Sequence, residues 1–155
     1  MSPRHTVRVA TDLTDREACF AVRKEVFVAE QGVAEDIEYD AWDAVAVHVL
    51  VVREDGVPLG TGRLLHGEAA TAKTGGDPAV GSLGRLAVSR EARGLGIGAA
   101  LVRAIEDIAR AEGLTALDLH AQTHAQGFYE RLGYVAYGPE FPDAGIPHRA
   151  MRRSL

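Results

Sequence analysis

Arg93-Gly94-Leu95-Gly96-Ile97-Gly98 stands between a strand-like run, Leu83 to Val88, and the most regular helical pattern in the chain. Ile97, Leu101, Ala104, Ile105 and Ile108 fall at i, i+4, i+7, i+8 and i+11, which is one apolar face of an α-helix. The first turn of a helix carries N–H groups with no partner inside it, together with the positive end of the helix dipole. Glycines remove the side chains that would keep a bulky anion away from those groups. Strand, glycine turn and helix therefore make a cradle for phosphate or pyrophosphate, with Arg93 as a cation at its mouth.

Several readings of the cradle compete. A nucleoside-triphosphate loop closes on a lysine and a hydroxyl residue, and neither follows Gly98. Gly94-x-Gly96-x-x-Ala99 fits a relaxed dinucleotide fingerprint, with Asp118 near the distance of a ribose-binding acid. That fingerprint starts at the end of its strand, whereas Ser89 to Arg93 intervene here, and only one β–α–β unit is visible. The plain alternative is a turn whose glycines only let a helix pack tightly.

Composition narrows the class. The 155 residues are 46% hydrophobic and 25% charged, as expected of one soluble domain, 1–155, with a core of its own. Seventeen basic residues against 22 acidic give a net charge of −5, which argues against a nucleic-acid partner. Met1 to Arg8 has no signal-like apolar core, and no run is apolar enough to span a membrane, so the expected location is the cytoplasm. The single cysteine, Cys19, reads as a buried small side chain with Val22 and Val26. His5, His48, His66 and His124 show no metal-ligand spacing, and no metal is expected.

Along the chain, Val7–Ala10 is a strand candidate. Thr14-Asp15-Arg16-Glu17 reads as a capping box that starts a helix reaching about Ala29. Glu30 to Asp43 is acid-rich and reads as a solvated connection. Val45–Arg53 and Val57–Leu65 form a hairpin through Asp55-Gly56. His66 to Gly81 has no clear period and is expected to be a long loop without chemistry. After the cradle, its helix ends near Glu112 at Gly113, and Thr115–His120 is a strand. Gln122–Leu132 should be a helix closed by Gly133. Tyr134–Tyr137 and Arg149–Arg153 should be strands around a Pro/Gly-broken loop, Gly138–Pro147. A meander followed by β–α–β and α–β units gives an α+β sheet with helices on its faces.

Two motifs in this order carry a resemblance. Arg93-x-x-Gly96-x-Gly98, followed by Phe128-Tyr129-Glu130-Arg131-Leu132-Gly133-Tyr134, is similar to the pattern of the GNAT superfamily of acyl-CoA-dependent N-acyltransferases. The resemblance covers roughly residues 45 to 137. It implies a mixed, mostly antiparallel sheet splayed at the cofactor strand, with acetyl-CoA as donor and a small amine as acceptor. It implies that Leu86, Ala87 and Val88 pair backbone groups with pantetheine. Arg93, Gly94, Leu95, Gly96, Ile97, Gly98 and Ala99 would hold the pyrophosphate. Gln122 stands where many relatives carry an asparagine near the cofactor arm. Relatives are commonly dimers, so a homodimer is also an expectation.

Acyl transfer sets its own demands beside the resemblance. The amine, with a pKa of about 10 when free, must be neutral when it attacks, and the leaving thiolate must receive a proton. The resemblance assigns that donation to Tyr129, whose plain alternative is a core aromatic. Many relatives place a basic glutamate on the strand that here reads Ser82 to Val88, and none is present. His120, at the end of the neighbouring strand, is the first candidate base. Glu30 is the second, through a relayed water, and His148 the third. For all three the plain alternative is a structural role.

A narrower resemblance lies in Arg23-x-x-Val26-Phe27-x-x-Glu30-Gln31-x-Val33, His120-Ala121-Gln122 and Gly145-Ile146-Pro147-His148, similar to a subgroup of small bacterial GNAT proteins. The first half, with Arg63-Leu64-Leu65, also resembles acyl-homoserine-lactone synthases. An acidic front loop beside the thioester leads to the expectation of a cationic acceptor. Direct transfer in a ternary complex is expected, since no activated nucleophile is evident. The alternatives are a non-catalytic acyl-CoA-binding regulatory module and a homoserine-lactone-synthase-like acyltransferase.

Overall fold

The computed structural model describes residues 4–155. Seven strands form one sheet: β1 His5–Val9, β2 Val47–Arg53, β3 Pro58–Leu65, β4 Val80–Val88, β5 Ala116–Gln122, β6 Val135–Asp143 and β7 Ile146–Ser154. Their order is β1-β2-β3-β4-β5-β7-β6, and among the described residues only β4 and β5 run parallel. One parallel pair in an otherwise antiparallel sheet rules out the doubly wound dinucleotide fold. Asp118 is buried and its carboxylate is bonded by Arg152 and Tyr137, so it does not serve a ribose at the cradle.

The valine-rich β2 is buried on both sides because helices cover both faces of the sheet. Val49 and Val51 point to one core with Ile97, Leu101 and Ile105 of the helix α4, Ile97–Ala111. Leu50 and Val52 point to the other with Cys19 of α1, Leu13–Arg23. Helix α4 lies close on the sheet because β3 presents glycines to it. A Cβ on Gly60 would stand 2.8 Å from Ile97 Cγ2 and 3.2 Å from the Ala87 carbonyl oxygen.

Several local expectations are corrected. Helix α1 is capped by Asp12, which accepts from the Asp15 backbone N–H at 2.7 Å, two residues before the expected box. Past Arg23 the chain stays helical but widens into a π-helical turn, Lys24–Glu30. The presumed loop after His66 contains a helix, α3 Glu68–Thr74, closed by Gly75 in the left-handed conformation. The presumed loop Gly138–Pro147 is mostly a hairpin. β6 and β7 are joined by Ala144-Gly145, both at positive φ as a primed turn requires. The last expected helix is shorter than read: Gln122 ends β5, and α5 spans Gln126–Arg131.

Strand β4 positions the site. It pairs with β5 only from Val80–Ala116 to Leu83–Leu119. At the next turn of chain its register with β3 slips between Thr61 and Arg63, and Arg85 takes φ +51°. This bulge bends β4 away from β5. Beyond it, β4 pairs only with β3, and His120 to Gln122 of β5 pair only with β7. The sheet is therefore forked, as expected for the cofactor strand.

Gly60→Ala is expected to cost about 1–3 kcal/mol, because the new methyl meets a stiff β-branched side chain and fixed backbone. Chemical denaturation with an unchanged m-value would show it; a neutral effect would mean that α4 does not press on β3 as described.

Candidate active site

The cradle begins where β4 ends. The loop after Val88 is tied to the π-helical turn by Glu25, which accepts from the Arg90 backbone N–H at 2.9 Å and from Ser89 Oγ at 3.2 Å. Gly94 and Gly96 both adopt positive φ, and Gly96 forms the cap of α4 without any side-chain cap. The first intrahelical bond of the turn runs from Ala100 N to Gly96 O, so the N–H groups of Ile97, Gly98 and Ala99 lack partners within the helix. All three residues line a cavity of about 730 Å³. A coenzyme pyrophosphate fits such open donors, uncapped and bordered by glycines. Leu95, expected to help hold the pyrophosphate, is half exposed and does not line the cavity.

From the cradle the cavity runs into the fork between β4 and β5. Leu86, Ala87 and Val88 line it where their edge has lost β5 as a partner. Tyr129 of α5 lines it as well, packed edge-on against Phe128 at 4.9 Å and Tyr134 at 6.0 Å. Burial alone raises the Tyr129 phenol pKa; no charged or hydrogen-bonded neighbour contributes. A phenol raised in this way stays protonated at neutral pH, so it can donate a proton and is not a base.

The remaining expected residues separate. Glu30 is bound through both oxygens to Arg93, at 2.6 and 2.8 Å, and this bond holds its carboxyl below its ordinary pKa. It stands at the cradle mouth as a counterion, which weakens it as a base. Gln122 exchanges amide bonds with Gln31, at 2.8 and 3.1 Å, and meets His124 Nε2 at 2.6 Å. His120 and His148 come together around Phe141, at 5.1 and 6.0 Å between ring centroids, and both line the cavity. His148 Nδ1 lies 2.7 Å from the Ile146 carbonyl oxygen. Burial is the main cause that lowers the His120 pKa, partly opposed by Asp118, so its ring is neutral and able to accept a proton at pH 7.

The front loop corrects the expectation of a solvated connection in part: Glu30, Glu35 and Asp36 stay exposed, but three other acids do not. It folds into α2, Glu35–Glu38, and a 3₁₀ turn, Ala41–Ala44. These turn three acids inward. Arg23, almost fully buried, bonds Glu38 and Asp43 at 2.7 Å each. Arg63, equally buried, bonds Asp40 at 2.7 Å and Asp43 at 2.8 Å. Arg85 reaches Glu38 at 3.2 Å and Asp40 at 3.3 Å from the bulge. Burial would raise Asp40, but the Arg63 bonds outweigh it and hold its pKa at about 2. Glu38 goes the other way, raised by burial despite its arginines. The partners lie far off in sequence, and only spatial folding reveals that the acids are already neutralised.

An Acetyltransferase (GNAT) domain family model matches residues 9–155. The chain belongs to the GNAT acetyltransferase family. Among its relatives, the uncharacterized N-acetyltransferase YjcF of Bacillus subtilis is 38% identical over 135 residues, 86% of this chain and 89% of that protein. A GNAT-like solved structure, an acyl-CoA N-acyltransferase from Pseudomonas aeruginosa, superposes with a TM-score of 0.78 at 32% identity, covering 98% and 99% of the two chains. The acyl-homoserine-lactone synthase LasI shares the fold, with a TM-score of 0.78 at 17% identity over 99% of this chain and 91% of that one.

Two measurements probe this geometry. Glu30→Gln frees Arg93, and calorimetry should show coenzyme A binding about two- to fivefold tighter, the worth of an exposed ion pair; weaker binding would mean that Glu30 supports the cradle. Asp40 has a folded pKa below its ordinary value, so its pairing stabilises the fold above about pH 4 and fades as pH falls towards 2. Glu38 contributes with the opposite sign and at higher pH. Stability followed by denaturation at stepped pH should drop across the pH 4 to 2 window, and Asp40→Asn should flatten the drop.

Proposed function

We propose that this chain moves an acetyl group from acetyl-CoA to the amine of a small acceptor, by direct attack within a ternary complex. The observation that supports it most is the single cavity in which the cradle, the forked β4 edge and the Tyr129 phenol meet. Acetyl-CoA would supply an activated thioester. The N–H groups of Ile97 to Ala99 with Arg93 would hold its diphosphate, and the free edge of Leu86 to Val88 would align its pantetheine arm.

Tyr129 then protonates the departing sulfur. Its raised pKa makes it a poor donor to a thiolate in water, with a pKa of about 8.5. A thiolate formed in the same dry fork is destabilised by the same burial, so the proton affinities approach each other. His120 takes one proton from the incoming ammonium, with His148 beside it. The second proton, shed as the nitrogen becomes an amide, returns to the Tyr129 phenolate. Cys19 cannot act as an acyl relay: it is fully buried on the other face of the sheet, and burial raises its thiol pKa.

A homoserine-lactone-type activity draws support only from the shared fold. A non-catalytic coenzyme-binding module would keep the cradle and tolerate loss of Tyr129. Thiol release from acetyl-CoA across a panel of amines separates these readings. Tyr129→Phe should lower kcat about 10²-fold while coenzyme A affinity stays near that of the parent. Unchanged turnover would remove Tyr129 from this role, and no turnover by the parent on any amine would favour the binding module.

A further inference from the structure

The far end of the cavity carries charges that the acetyl-transfer chemistry leaves unused. In the front cluster, Arg23, Arg63 and Arg85 face Glu38, Asp40 and Asp43 in direct ion pairs, three against three. Lys73, on α3, lines the same cavity and makes no ion pair among the described residues. Burial lowers its pKa, and repulsion from Arg63 and Arg85 lowers it further, while Asp40 and Asp143 oppose the fall. Its ammonium is thus partly desolvated, with both cations and carboxylates acting on it from a distance and no carboxylate paired with it directly among the described residues. Asp143, at the β6–β7 turn, also lines the cavity and is also free of ion pairs among the described residues. His120 lies close enough to feel both charges.

We propose that the acceptor is a carboxylate-bearing amine, an amino-acid-like zwitterion whose carboxylate pairs with Lys73. This rests on the acetyltransferase reading of the site. A purely cationic amine would add positive charge beside Lys73 and Arg85 in a poorly solvated space, which is unfavourable. A carboxylate gives Lys73 the partner it lacks. Arg85 is a second donor: its bonds to the Glu38 carbonyl oxygen, at 3.2 Å, and to Asp40, at 3.3 Å, are longer than the 2.7 Å bonds of Arg23 and Arg63. Asp143 supplies one negative pole at the same rim, which suits the ammonium of a zwitterion and disfavours a dicarboxylate. The acid-rich front loop, read alone, pointed to a cationic acceptor; its neutralisation by arginines removes the ground for that.

The test uses matched amines with and without the carboxylate: L-lysine and cadaverine, L-arginine and agmatine, L-phenylalanine and phenethylamine. Each is titrated against the full chain saturated with coenzyme A, and the thermal midpoint is followed. The carboxylated member of at least one pair should stabilise the protein at about tenfold lower concentration than its partner. In Lys73→Met that advantage should fall to near one, and Lys73→Arg should restore part of it. Equal potency within every pair, no shift from any carboxylated member, or an advantage that survives Lys73→Met would overturn the inference, whether or not acetyl transfer is seen. A carboxylate advantage at Lys73 with no thiol release from acetyl-CoA would uphold the binding site and overturn the acetyltransferase reading instead.

Discussion

One backbone distortion organises this molecule. Arg85 sits at φ +51° in the middle of β4, a conformation that costs a non-glycine residue roughly 1–3 kcal/mol and persists only where surroundings enforce it. Here the enforcement comes from the residue's own side chain, whose guanidinium reaches Glu38 and Asp40 of the front loop. Those acids are fixed in turn by Arg23 and Arg63, both almost fully buried. The ion-pair cluster therefore holds the bend, and the bend opens the fork. Buried charge of this kind is weak evidence for net stability, but it sets one geometry against alternatives.

The two faces of the sheet divide the work. On one, α4 settles onto the glycines of β3, and its uncapped start meets the cavity beside Val88. Phe128 lies against the same end, 3.1 Å from where a Cβ on Gly98 would stand, and carries Tyr129 with it. On the other face, α1 and its π-helical continuation deliver Glu25 to the loop after β4 and Glu30 to Arg93. The wider turn lets one helix touch the cradle at both its entry and its mouth.

What was legible in the sequence was local. The cradle, α4 and the β2–β3 hairpin announce themselves through glycine spacing, a regular apolar stripe and an Asp-Gly turn. Helix α3 did not: it packs through Ala69 and Ala70, too small to mark a stripe, and its Gly67 and Gly75 boundaries look like loop residues. The β6–β7 hairpin was hidden by Pro139, Pro142 and Pro147. Two of them face each other in register on an outer hairpin, where a missing N–H is tolerated. Glu38, Asp40 and Asp43 look like a solvated run because the arginines that neutralise them arrive from distant elements. Lys73 was illegible for the same reason, since only the folded chain brings α3 to the cavity.

The β6–β7 hairpin has a wider implication. Phe141, Asp143 and His148 all ride on this one arm, while the glycine cradle and the unpaired β4 edge come from the contiguous stretch between Leu86 and Ala99. On the proposed reading, carrier recognition rests largely on that one stretch, while acceptor choice draws on other elements as well, this arm and the helix that carries Lys73. Lineages could rewrite the arm, lengthen its tip or exchange its aromatics, and so acquire new metabolites to modify, while the machinery that grips the shared carrier passes down unaltered.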